Sequence, residues 1–186
     1  MCVRRKIFYV MSCSFISFFF CLTVAVADTL RRDVIAAGLV TTPPEKLIVL
    51  AKHKEAVVRA AVAGNRRAPD EALILLSGDP DPDVRMTLAL NIDAPEAAKL
   101  PMARDPVLAV RMRLAKCGFM FPSVLKILAK DDSLEVRRLV ARNYNATPEV
   151  LMLLVNEDDE QIRKSIAHHE VVTSEILKKL EVSNKP

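Results

Sequence analysis

Three histidines, five regularly placed arginines, one cysteine beyond the first segment and three aromatics in its neighbourhood are the residues whose types could do chemistry. His168-His169-Glu170 has the residue types of a metal site. Adjacent residues of a helix point about 100° apart, however, and zinc needs three or four converging ligands. The only other histidine is His53, so no metal and no cofactor is expected. No Ser/His/Asp or Cys/His set has a supporting context. The chain after Ala27 has only four glycines, Gly38, Gly64, Gly78 and Gly118, so no phosphate-cradling loop exists. No catalytic constellation is found, and the chain is read as a non-enzyme. The arginines could form an anion-binding stripe, or pair with the acids that recur beside them.

Those arginines point to the elements that must position them. Val58-Arg59, Val84-Arg85, Val110-Arg111, Val136-Arg137 and Ile162-Arg163 recur at a spacing of 26 residues. A fixed period in this range marks stacked supersecondary units. Four residues after each arginine stands an alanine: Ala63, Ala89, Ala115, Ala141 and Ala167. One residue earlier the position is apolar: Val62, Leu88, Leu114, Val140 and Ile166. These positions form one stripe of a short first helix. The alanine implies close helix contact, where a larger side chain would overpack.

A second helix follows in each unit. Fourteen residues after the arginine come Leu73, Lys99, Leu125, Leu151 and Leu177; seventeen after it come Leu76, Met102, Leu128, Leu154 and Leu180. Thr147-Pro148-Glu149 places a hydroxyl at the N-cap, proline at N1 and a carboxylate in the first turn. Pro101 falls inside the second helix of the unit starting at Arg85, which predicts a kinked or partly 3₁₀ segment near residues 99–104. An acid stands twenty residues after the arginine, at Asp79, Asp105, Asp131 and Glu157, and six before the next one. Asp–Arg pairs between neighbouring turns would fix register, each contributing about 0–1 kcal/mol if exposed. Asn65, Asn91 and Asn143, with Cys117 and His169 in the same column, fall at first-helix C-termini, where asparagine tolerates the left-handed conformation. The register extends upstream through Asp33, Ala37, Leu47 and Leu50. About six units result: a degenerate first unit over 28–58, units starting near Arg59, Arg85, Arg111 and Arg137, and a truncated last one from Arg163.

Val-Arg-x-x-Val-Ala-x-Asn, a Pro-led Glu-x-Leu-x-x-Leu helix, then Asp-Pro-Asp-Pro-x-Val-Arg resembles the leucine-rich repeat variant family. The pattern is fullest at Val58–Arg85 and Val136–Arg163 and covers about residues 33–182. The resemblance implies a HEAT-like, all-α, right-handed solenoid in which an α-helix alternates with a shorter α or 3₁₀ helix, and it implies a binding scaffold. Proline often follows that asparagine in the family; here the residue after it reads Arg66, Ile92, Gly118, Tyr144 and Glu170. Some members carry an N-terminal cysteine cluster for an iron–sulfur centre. Cys2, Cys13 and Cys21 lack paired ligand spacing, so no cluster is carried over.

Arg4, Arg5 and Lys6 precede an apolar run over Ile7–Val26, and Ala25-Val26-Ala27 is an A-x-A pattern. Residues 1–27 therefore read as a signal peptide, and the protein as periplasmic or secreted. An uncleaved membrane anchor is the alternative, because the run is nearly long enough to span a bilayer. The segment takes three of the 27 basic residues and no acidic one, leaving 24 basic against 23 acidic. That balance argues against a nucleic-acid partner. Cys117 is then the single remaining thiol, and 159 residues can build a core without a disulfide.

Phe119, Phe121 and Tyr144 are the only aromatics after residue 27, and all lie in turns after first helices. Tyr144 shares its column with Gly118 and Ile92. Stacking would place Ile92, Phe119, Phe121 and Tyr144 on one ridge, a candidate site for a protein or peptide partner. The competing reading tucks the aromatics under the turns as core. The function expected is an exported, non-enzymatic scaffold. The alternatives are a bilin-lyase-like HEAT-repeat enzyme, whose repeats also show Asp-Pro-x-Val-Arg, and a membrane-tethered adaptor that meets membrane only if residues 7–26 are retained.

Overall fold

The structure is a computed structural model and describes residues 27–183. The signal-peptide reading falls almost wholly outside those residues. Twelve helices and no strand are found among the described residues. A helix over 27–38 (α1) is followed by α2 (Pro44–Leu50), α3 (Ala56–Gly64), α4 (Asp70–Leu76), α5 (Pro82–Leu90) and α6 (Glu96–Met102). Then come α7 (Leu108–Lys116), α8 (Pro122–Leu128), α9 (Leu134–Ala141), α10 (Pro148–Met152), α11 (Glu160–Ala167) and α12 (Ser174–Ser183).

The helices stack in two rows. From α3 onward the odd-numbered helices pack each on the next, as do the even-numbered helices from α2 to α12. Most of these helices have only five to nine residues, too few to be stable alone in water. Their stability comes from the shared core. The Val/Ile column before each arginine and the apolar column three after it are fully buried in every unit from Val58 to Ile166. Each such side chain contributes roughly 1.5–3 kcal/mol on burial.

The alanine column shows what this stacking demands. Ala37, Ala63, Ala89, Ala115 and Ala141 are fully buried, whereas Ala167, with no first helix after it among the described residues, is exposed. Each alanine faces the following unit. Gly64 beside Ala63 marks the same closeness, since a Cβ there would lie 3.3 Å from Thr87 Cγ2 on α5.

The helix containing Pro101 is α-helical over Glu96–Met102, and the partly 3₁₀ segment expected there forms its end, in i→i+3 type bonds from Ala103 to Leu100, Arg104 to Pro101 and Asp105 to Met102. α4, which lacks a proline, keeps an i→i+4 bond from Ser77 to Leu73 at the equivalent place. Pro101 sits in the last turn with its ring exposed. One sequence expectation is corrected: the asparagines do not adopt the left-handed conformation. Asn65 and Asn91 have φ −76° and −70° with extended ψ, and no described residue has positive φ.

Candidate functional site

The asparagine column instead stitches the units together. Asn65 Nδ2 donates to the Ala37 and Leu39 carbonyls at 2.7 and 3.0 Å. Asn91 reaches Ala63 and Asn65 in the same way, and Asn143 reaches Ala115 and Cys117. Each Oδ1 accepts an amide two residues on, from Arg67, Asp93 and Asn145. The partners lie 26 or 28 residues back, so one buried side chain closes its own turn and the preceding unit's helix end. His169 does the same work with a ring. Its Nε2 donates to the Asn143 carbonyl at 2.9 Å and its Nδ1 accepts the Val171 amide at 3.4 Å. This requires the neutral Nε2–H tautomer. His168 Nδ1 lies 2.8 Å from the Lys164 carbonyl. Both histidines are thus held by backbone groups.

The arginine column is equally structural. Arg85 forks onto Asp105 at 2.6 and 3.0 Å, while its Nη1 donates to the Asp79 carbonyl at 2.6 Å. Arg59 pairs with Asp79 and Arg111 with Asp131 in the same bidentate manner. The carboxylate partner is therefore the acid twenty residues ahead. The acid six residues behind contributes only its carbonyl. The acids also shape the next turn: Asp79, Asp105 and Asp131 accept the amides of Asp81, Val107 and Ser133. The N-cap itself falls two residues later, at Asp81 for α5 and Asp159 for α11. Glu157 is longer, and Arg137 Nε lies 2.9 Å from its Oε1 without hydrogen-bond alignment. Arg163, whose twenty-ahead position is Ser183, keeps only the Glu157 carbonyl at 3.0 Å. In the first unit the polarity is reversed: Asp33 holds the arginine column and His53 the acid column, with Nε2 and Oδ2 3.6 Å apart.

The Arg85–Asp105 pair is buried, and Arg59, Arg111 and Arg137 are half-buried against their acids. The Arg85 and Asp105 side chains are only 10% and 3% exposed. Burial pushes the Asp79 carboxyl up, but the Arg59 fork and the Asp81 amide outweigh it and hold it below its ordinary value. The forked guanidiniums of Arg59, Arg85 and Arg111 therefore leave little to offer a free anion.

The turn aromatics present surface. Phe119 is 61% and Tyr144 58% exposed, and their rings meet edge to face with centroids 6.4 Å apart and planes at 83°. Tyr144 lies over Gly118, where a Cβ would come within 2.7 Å of the phenol oxygen. The missing side chain at 118 seats the tyrosine of the next unit. Ile92, one unit earlier in the same column, is also exposed. Beside it Gly64, Arg66, Met86, Thr87 and Arg113 line an open groove of about 580 Å³. Phe121 stands apart: it is half-buried at the start of α8 and packs against the core.

One second-helix position that breaks the sequence pattern proves unusual in its burial. Lys99 takes the second-helix position held elsewhere by Leu73, Leu125 and Leu151, and it is fully buried. Its Nζ has no hydrogen-bond partner. The substitution of lysine in a leucine column was the signal. Among the described residues no three His, Cys, Asp or Glu side chains converge as a metal site, and no helix is long and apolar enough to cross a membrane.

No family model and no curated protein matches the chain. Among solved structures, the chain is similar to one described as a leucine-rich repeat variant with a novel repetitive protein structural motif. The two share 24% identity over 77% of this chain and 73% of that one, with a TM-score of 0.36.

Proposed function

We propose that this protein is an exported, non-enzymatic repeat scaffold that binds a protein or peptide on the ridge of Ile92, Phe119 and Tyr144. The observation that carries the reading is the edge-to-face pair Phe119–Tyr144, held largely exposed on turns of a stacked core. Large aromatics kept in water on rigid elements are suited to act as anchors, because burying them on binding costs little conformational entropy. The adjoining groove carries apolar Met86 and Ile92 beside Asp83, Arg113 and Arg66, the last paired with Asp93, so it suits an extended segment with apolar and polar residues. A preformed surface of this kind binds with little rearrangement.

The test is affinity capture from periplasmic extract by the wild-type chain and by the Phe119→Ala/Tyr144→Ala variant, followed by titration of the captured partner in purified form. Loss of affinity in a variant that melts like the wild type supports the reading. Equal affinity for both proteins removes it. N-terminal sequencing of the exported protein tests the first segment separately: a start at Asp28 supports cleavage, and a start at Met1 supports the tethered adaptor.

A further inference from the structure

The second-helix row carries an exposed apolar column that the core does not use. Sixteen residues after the arginine position stand Val49, Leu75, Pro101, Ile127 and Leu153, in five consecutive units. Val49 is 69%, Leu75 47% and Leu153 40% exposed; Pro101 is exposed as well, and Ile127 is half-buried. A single exposed leucine needs no explanation. Five apolar residues in one column of helices that pack side by side make a continuous strip. Packed helices lie about 8–10 Å apart, so the strip runs for roughly 35 Å. Its two edges carry charges of opposite sign. Residues at i, i+4 and i+7 share one side of a helix, so positions twelve and nineteen after the arginine flank the strip. Position twelve holds Glu45, Glu71 and Glu149, and Glu96 stands one residue earlier in its unit, where Ser123 donates to it. Position nineteen holds Lys52, Arg104 and Lys130, all exposed.

We infer that the outer face of the second helices docks on the same face of a second copy of this chain. A copy turned by 180° about a line running along the strip lays its apolar column on the first, with facing helices antiparallel. Its acidic edge then falls on the basic edge of the first copy. Glu45 meets Lys52 and Glu96 meets Arg104, each pair occurring twice by symmetry. The same face suits a lipid surface poorly, since anionic headgroups that attract the basic edge repel the acidic one. From position twelve to position nineteen the face is about 15 Å wide with its side chains, so roughly 500 Å² per copy is covered. That is less than the roughly 800 Å² per partner of a standard interface, which sets the association as a weak, concentration-dependent dimer. The aromatic ridge lies on turns after the first helices and stays free in such a dimer.

Sedimentation velocity of the full chain, as the cell processes it, should show a reversible monomer–dimer equilibrium across the micromolar range. A chain that stays monomeric throughout overturns the proposal. Leu75→Glu/Leu153→Glu changes two exposed positions and should weaken dimerisation about tenfold or more, because it sets like charges against each other in a desolvated strip. Lys52→Glu/Arg104→Glu should weaken it as well, and adding Glu45→Lys/Glu96→Lys to the same chain should restore it. A fold defect cannot produce that rescue, and its absence overturns the proposal. Phe119→Ala/Tyr144→Ala should dimerise like the wild type; loss of the dimer there would place the interface on the aromatic ridge instead. A monomeric wild type that floats with phosphatidylglycerol vesicles, and no longer does so as Leu75→Glu/Leu153→Glu, would assign the strip to lipid and overturn the proposal.

Discussion

Replacing Lys99 by leucine should stabilise the protein. The wild-type side chain is fully buried with its nitrogen unpartnered. A buried polar group left unsatisfied costs about 1–3 kcal/mol, and more when charged. Leucine fills the same column at Leu73, Leu125 and Leu151 with almost no exposure, so its shape is already matched to the site. A gain of about 1–3 kcal/mol in a domain of this size raises Tm by about 2–12 °C. The pH dependence supplies an independent check. Burial lowers the lysine's proton affinity from its ordinary 10.5, so below that value the unfolded chain binds more protons than the folded one. Stability of the wild type therefore rises with pH toward 10.5, and the penalty of Lys99 is relieved along the way. The advantage of Lys99→Leu should be larger at pH 7 than at pH 10, read by urea denaturation at both. A variant less stable than the wild type, or an advantage that does not shrink at pH 10, would refute the reasoning.

Removing one partner of a buried pair should cost far more than removing an exposed one: Asp105→Ala is expected to lose about 3–5 kcal/mol, while Asp93→Ala, whose partner Arg66 is mostly exposed, should leave the midpoint almost unchanged, both by chemical denaturation. Asn143→Ala deletes bonds to two carbonyls and one amide and should cost about 1–3 kcal/mol, with hydrogen exchange rising first at the junction of α7 and α9. Acid should loosen the far end of the stack. The Arg138 pair and the Ile162 amide hold Asp159 at about 2, below its ordinary 3.8, so its contribution is present above about pH 4 and is lost as pH falls through 2; Asp159→Asn should flatten that part of an acid melt. Phe119→Ala/Tyr144→Ala should shift the denaturation midpoint by less than about 1 kcal/mol, because both rings are largely exposed.

Much of the architecture was legible in the chain because every unit repeats the same solution. One Val-Arg pair is weak evidence, whereas five at equal spacing, each followed by alanine four residues later, leave stacking as the arrangement that buries them all. Ala167 is exposed for the same reason, since no later first helix packs on it among the described residues. The aromatic turns were legible as turns, but not the separate fate of Phe121, whose ring packs on the core while Phe119 and Tyr144 stay outside. Adjacent turn residues differ in burial by how the backbone aims them, which spacing does not encode.

A periodic sequence also hides which of its equal spacings is physical. Arg85, Arg111 and Arg137 each have an acid six residues behind and another twenty ahead. Only the packed structure chooses, giving the guanidinium the carboxylate ahead and the carbonyl behind. The asparagines were placed correctly at helix ends, but for a local reason that the backbone does not use; their partners are 26 and 28 residues away. Periodicity reports which residues share a face, because that is fixed by helix geometry within one unit. Which groups meet across the junction depends on the rise and rotation between units, and those are settled only when side chains from both units compete for the same buried space.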